Sequence, residues 1–503
     1  MILMKPYYRK YQIVFLLVLA IVTFSCLDLE EKPLGSLVND SFFKTESDLE
    51  AAVTAVYRPL IQDPWGGFGS TRIWLPLMGA DDLTTLPGGN KGDYREFDQF
   101  NPTNINAALP GAAWKNHYDL IYAANNVIEN YEKVDGRETF INQCVAQARF
   151  LRAFAYFWLT RVYGDLPLVT SVITDLEIEL SPVSSVYELI VDDLNFAKDN
   201  LPSSWPGEPG RPSSWTAKSL LSSVYLTMAG WPLKDESKYA LAASMAKDVI
   251  DNGPYTLEDN FADLWTMANE KNHEFIWTIQ MTGIPGNPQL TTIVGYPTMP
   301  GEESGWDDVF FEVGFYNRFP DGPRKDATFH TQFLDKQGNP TVTFENSSTK
   351  HPYIAKYRDG ALSWLDSFEH LFMTGRDICF LRFAEVLLTY AEAQAMADGT
   401  PNNEAYQAVN KVRKRAELVD LPEGMGKMDF RDAIIEERGW ELAAEFSRWF
   451  DLIRTEKVEE MAALKDPLDL EPKGTVDKTK YHAPIPYGEI LLNPNLANST
   501  QYP

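Results

Sequence analysis

The stretch QARFLRAFAYFWLTRVYGDLPLV, Gln147 to Val169, decides the fold. Its apolar residues recur at helical spacing. With the preceding TFINQCVA they predict one long helix ending near Tyr163. That spacing points Phe154, Trp158 and Leu159 inward, which makes them core residues rather than ligand platforms.

Working outward, the same period recurs on both sides. In TESDLEAAVTAVYRPLI the apolar positions are Leu49, Val53, Val56 and Leu60, with Thr45 placed to cap. WKNHYDLIYAANNVIENY puts Trp114, Tyr118, Ile121 and Ile128 on one face. SSVYELIVDDL opens with Ser185 and Glu188 at the spacing of a capping box. TAKSLLSSVYLTMAG and YALAASMAKDVIDNGPY form a further pair, the second closed by Gly253 and Pro254. Helical pattern resumes in FLRFAEVLLTYAEAQAMADG, EAYQAVNKVRKRAEL and DFRDAIIEERGWELAAEFSRWFDLIR. Paired helices of this length predict a mainly α fold of stacked hairpins like tetratricopeptide repeats, although no strict period is visible.

Two segments break the pattern: about 62–110, and about 256–375, the latter rich in Gly, Pro, Asn, Asp and aromatic residues. Structureless insertions of that length in a compact domain are usually functional. The helical scaffold accordingly spans about 40–255 and 376–460.

The amino terminus carries Lys5, Arg9 and Lys10, then an apolar run from Ile13 that is short for a bilayer span. Ser25 precedes Cys26, the arrangement of a lipoprotein signal in which residues 1–25 are removed and Cys26 is lipidated. Asp28, Glu30 and Glu31 follow at once. The net charge of −26 opposes binding to nucleic acid, which needs basic surface. Cys144 and Cys379 both sit in apolar helical patterns and are expected as buried free thiols. No CxxC or HExxH occurs, so neither a metal site nor any other cofactor is expected.

Five blocks together resemble the SusD/RagB family of Bacteroidetes outer-membrane lipoproteins, in that family's order. They are QARFLRAFAYFWLTRVYGDLPLV, TAKSLLSSVYLTMAG (Thr216 to Gly230), LRFAEVLLTYAEAQ (Leu381 to Gln394), ERGWELAAEFSRWFDLIR (Glu437 to Arg454) and PIPYGEILLNPNLANSTQY (Pro484 to Tyr502). The resemblance implies a single SusD-like domain over 26–503, with a helical-pair scaffold and loops carrying a glycan site. It implies a non-catalytic, cell-surface lipoprotein of the outer membrane that passes oligosaccharide or polysaccharide to a SusC-like TonB-dependent transporter. The acids after Cys26 then resemble a surface-export signal.

Within ERGWELAAEFSRWFDLIR, Glu441 and Arg448 are expected as helix-linking ion pairs beside Trp440 and Trp449, a scaffold clamp rather than catalytic groups. Sugar hydrolysis needs two carboxylates facing across the scissile bond. The adjacent pairs Asp81-Asp82 and Asp307-Asp308 suit that geometry poorly, and GxSxG is absent. A helical glycoside hydrolase or lyase is therefore the alternative reading, and a peptide-binding importer component another. Sugar rings stack on exposed aromatic planes while their hydroxyls take polar groups at the rim. On loop context the candidates are Trp306 with Asp307 and Asp308, Trp65, Tyr296 and Trp364, with Asp81, Asp82, Asn90 and Lys91 as polar contacts.

Overall fold

The computed structural model describes residues 42–61, 67–103, 114–173, 175–281, 296–335, 338–358 and 375–498. Met1–Phe43 and Lys44–Pro503 are separate compact units. Of the first, only Phe42 and Phe43 are described, in edge-to-face contact. Cys26 and its acidic neighbours lie outside the described residues, and no described helix is long and apolar enough to cross a membrane.

The second unit is a chain of helical hairpins. Helix α1 spans Glu46–Tyr57, α2 Lys115–Asn130, α3 Glu138–Tyr163, α4 Val183–Asn200, α5 Ser214–Ala229 and α6 Lys238–Asn252. After the long insertion come α7 (Phe383–Asp398), α8 (Asn403–Arg415), α9 (Lys427–Glu441) and α10 (Arg448–Arg454). From α2 to α8 each of these helices packs on the next, and α6 packs directly on α7 across the insertion. The solenoid therefore continues as though the insertion were looped out of it.

Local chemistry explains the ends. Thr45 caps α1 in a reciprocal box: its hydroxyl accepts from Asp48 N, and Asp48 Oδ2 accepts from Thr45 N at 2.8 Å. The expected Ser185–Glu188 box does not form. Helix α4 begins at Val183, so Ser185 already lies inside the first turn, and the Asp165 carboxylate accepts the Val183 N–H at 2.9 Å instead. At 26 residues α3 is about 39 Å long, and its carboxy-terminal two-thirds is almost wholly buried. Arg152 on that helix is buried only because Asp193 accepts from it twice, at 2.7 and 2.8 Å, and Asn125 once, at 2.7 Å.

Short two-stranded ladders organise the loops. β1 (Leu83–Thr84) pairs antiparallel with β5 (Phe310–Phe311), and β2 (Leu166–Pro167) with β3 (Leu180–Ser181). β4 (Phe275–Ile279) pairs with β10 (Ile378–Arg382), β6 (Phe329–His330) with β9 (Tyr353–Ile354), and β7 (Gln332–Leu334) with β8 (Pro340–Thr343). Cys379, read as helical from sequence, belongs to β10. ICFLR suits a strand as well as a helix, and pairing with β4 decides it. Both Cys144 and Cys379 are buried free thiols.

The segment DFRDAIIEERGWELAAEFSRWFDLIR is two helices, not one. Between α9 and α10 the chain turns with Ala444 at φ 60° and Phe446 at φ 65°. Tyr357 donates to Ala444 O at 3.0 Å, and Ala444 N donates to Asp82. The turn sends Phe446 into a core of rings with Phe68, Trp74, Trp158 and Phe380. Truncating a ring at such a centre costs about 3–5 kcal/mol.

Candidate functional site

The pairing of β1 with β5 brings the two loop-rich segments together: Leu83 faces Phe311 and Thr84 faces Phe310. Just outside this ladder lies the loop 297–308. Its backbone folds on itself, with Gly305 N donating to Pro300 O at 2.9 Å and Asp308 N to Pro297 O at 2.7 Å. A Cβ on Gly305 would lie 2.0 Å from Met299 O, so only glycine lets the two arms of the loop approach this closely.

Trp306 stands at the turn of that loop and is 37% exposed, while Trp74, Trp158, Trp265, Trp277 and Trp449 are buried. The residues after it hold it in place. Asp307, at φ 55°, accepts from Gly301 N at 2.7 Å and from the Tyr353 hydroxyl at 2.5 Å. Asp308 is buried and ion-paired to Lys91, while its carbonyl accepts from Thr85 at 2.7 Å. Burial raises both carboxyls above the usual range even though Tyr353 and Lys91 oppose it. Before the tryptophan, buried Glu303 accepts from His330 at 2.7 Å and Leu334 N at 2.8 Å and pairs with Arg358 at 2.6 Å. Phe310, Phe333, Phe344 and Tyr353 form the apolar floor.

On the other side, Arg95 gathers the carbonyls of Leu86, Gly88 and Gly89, fixing the loop that carries Asn90 and Lys91. Exposed Glu302 and Ser304 share the loop with Trp306, Ser348 N donates to Glu302 at 2.7 Å, and exposed Asn90 adjoins the Lys91 that pairs with Asp308. The arrangement is an aromatic plane on a stiff loop with polar groups around it. It can stack on an apolar ring face and hydrogen-bond the ring's periphery. Among the described residues no cluster of His, Cys, Asp and Glu is arranged to hold a metal.

Of the sequence candidates, Trp306, Asp307, Asp308 and Lys91 come together here, with Asn90 adjoining Lys91. The two acids serve as braces beneath the ring rather than as rim groups. Asp81 and Asp82 do not belong to this surface. At 2% and 3% exposure they form the buried base of the loop, Asp81 on Arg448 and Arg318, Asp82 under Ala444 N. Tyr296 opens the turn Tyr296–Thr298, but its side chain, like Trp65 and Trp364, lies outside the described residues. Sequence reasoning missed Glu303, His330, Tyr353 and Arg358, whose roles arise from contacts between distant loops and carry no local signal.

Glu441 and Arg448 are clamps, but of two separate clusters. Glu441 accepts from Arg324, Arg382 and Arg415. Arg448 pairs with Asp81 and Glu436.

Comparison with known proteins places this architecture. Residues 310–502 match the model of the SusD family, and 89–226 match a model described as starch-binding, associating with the outer membrane. A SusD-like protein P2 of Formosa agariphila is 32% identical over 97% of this chain and 98% of its own. The starch-binding protein SusD of Bacteroides thetaiotaomicron is 24% identical over 85% of this chain and 89% of its own. Among solved structures, a SusD homolog from Bacteroides thetaiotaomicron superposes with a TM-score of 0.79 at 24% identity, covering 91% and 97% of the two chains. A surface glycan-binding protein A from the same species, in complex with laminarihexaose, gives 0.74 at 22%, covering 91% and 100%.

Proposed function

The chain belongs to the SusD family, and from that premise we propose that it is a non-catalytic glycan-binding lipoprotein of the outer cell surface. It captures oligosaccharide on the surface around Trp306 and passes it to a SusC-like TonB-dependent transporter. Lipid on Cys26 anchors it, and Asp28, Glu30 and Glu31 direct it outward.

The observation that carries the reading is Trp306 itself: a large aromatic plane held at the surface by buried braces. A loop stabilised only by its own packing would turn that ring inward. Here the ordering cost is met before any ligand arrives, which favours binding by a rigid plane. Relatives named for starch and solved with laminarihexaose support a glycan as the ligand. Non-catalytic action is supported by the engagement of the conspicuous acids. Asp81 and Asp308 are each paired with a basic partner, Asp307 is held by Tyr353 and Gly301, and buried Asp82 accepts from Ala444 N, so none of these four acids is set opposite another as glycoside hydrolysis needs.

Affinity electrophoresis in gels containing starch, laminarin or xyloglucan tests the proposal. Retardation in at least one gel, with no new reducing ends after prolonged incubation, is expected. Free migration in every glycan gel, or steady release of reducing ends, would count against it.

A further inference from the structure

Away from the Trp306 surface, a small pocket opens between the carboxy-terminal end of α3, the start of α4 and α10. Its lining includes Arg161, Tyr187, Trp231, Pro232 and His482. Arg161 is held there unusually. Its guanidinium carbon lies 3.7 Å from the centre of the Phe157 ring and 4.0 Å from that of Phe450, and its Nε donates to Phe157 O at 3.0 Å. The Trp158 ring lies farther off at 5.8 Å, and among the described residues no acceptor is hydrogen-bonded to the two Nη groups of the guanidinium. Among the described residues no carboxylate forms an ion pair with it. The other arginine of the pocket wall, Arg454, is fully engaged by Glu392 and Asp451.

The neighbouring polar groups are open as well. The Tyr187 hydroxyl and the His482 ring make no hydrogen bond within the described chain, and His482 is instead tilted against Trp231 at 5.0 Å. Two further acids act on Arg161 through space, Glu385 and Asp451, and both are paired with Arg438. A cation in this setting is costly: burial pulls Arg161 down to about 10, and burial holds His482 near 4, neutral at physiological pH. Arg161 nevertheless remains charged at neutral pH. A folded protein rarely keeps an unpaired cation in a half-closed cavity without something to meet it.

We propose that this pocket is a binding site for the carboxylate group of a small organic acid, with Arg161 as the anchoring cation and Tyr187 as a second donor. The fork of N–H groups on a guanidinium matches the two oxygens of a carboxylate. The cavity volume of about 20 Å³ is room for about one water-sized group, so only the leading oxygen of the carboxylate enters it, and the rest of the acid, a sugar ring included, rests at the mouth against Trp231 and Pro232. This inference stands apart from the glycan reading, because it uses none of the residues around Trp306.

The test is calorimetric titration of the full-length chain, purified in detergent, with acetate and with galacturonate. Galactose and sodium chloride serve as the neutral and the simple-anion controls. Saturable binding of both acids and none of galactose is expected, weakened tenfold or more in Arg161→Gln with the melting temperature maintained. Tyr187→Phe, which keeps the ring against Phe157, should weaken binding severalfold and serves if Arg161→Gln fails to fold. Tighter binding of galacturonate identifies an acidic sugar as the source, and equal binding a free small acid. Absence of saturable binding by either acid, chloride competing at equal concentration, or affinity unchanged in both variants would overturn the proposal.

Discussion

Arg448 and Asp81, 367 positions apart, form a buried two-pronged ion pair: Nε to Oδ1 at 2.6 Å and Nη2 to Oδ2 at 2.9 Å. The pair fastens the start of the β1 loop to the first residue of the short helix α10, so the loop that carries β1 is anchored to the scaffold. Removing one partner of such a pair leaves a buried charge and costs about 3–5 kcal/mol. Arg448→Met should therefore lower the urea midpoint substantially, while Arg448→Met combined with Asp81→Leu should recover part of the loss. Equal midpoints for the wild type and the single variant would contradict the anchoring role.

The pH dependence of the two adjacent acids has opposite sign. Burial would raise Asp81, but Arg448 outweighs it and holds the carboxyl below the usual range. Its stabilising contribution is present above the unfolded value and is lost as pH falls through the folded one. Asp82 is raised to about 6 by burial and by the charge of Asp81. Between about 4 and 6 the folded state binds the extra proton, so this group makes stability fall as pH rises. Asp82→Asn keeps an oxygen for Ala444 N and should stabilise the protein at pH 7 by up to about 3 kcal/mol, and it should flatten the stability profile between pH 4 and 6. Urea unfolding at several pH values checks both signs.

Gly305→Ala tests stiffness without touching a ligand-facing group. The new methyl would meet the Met299 carbonyl, and the loop would have to open. Glycan affinity should fall about tenfold or more, with the melting temperature lowered by only a few degrees. Wild-type affinity in this variant would show that the loop's closed form is irrelevant to binding.

Cys26→Ala should abolish lipid labelling and release the protein from membranes. Neutralising Asp28, Glu30 and Glu31 together should keep lipidated protein on the periplasmic side, protected from protease added to whole cells. Persistent lipid labelling of Cys26→Ala would remove the anchor.

What could be read from sequence was local and periodic. Helix α3 was legible because Phe154, Trp158 and Leu159 repeat at helical spacing, and Thr45 because a cap is a contact over three residues. Ser185 misled because Asp165 satisfies the helix end from outside it. Cys379 misled because β4, a hundred positions earlier, supplies the pairing that makes ICFLR a strand. Trp306 was legible as an exposed loop tryptophan from Gly305 and the acids beside it. The task of those acids was not, since Lys91 and Tyr353 reach them from other loops. Asp81 and Asp82 looked like surface polar groups in a loop, and only the distant Arg448 and Ala444 reveal them as its buried base.

The central claim is that Trp306 binds a sugar ring from a loop that is already in place. Stacking of an aromatic plane is worth about 0.5–1.5 kcal/mol beyond the area it buries, and a decade of affinity is about 1.4 kcal/mol. Calorimetric titration of wild type and Trp306→Ala with the best-retained glycan, alongside melting curves, tests it most directly. The account predicts affinity reduced tenfold or more with the melting temperature nearly unchanged. Unchanged affinity, or affinity lost together with a collapsed melting temperature, would contradict it.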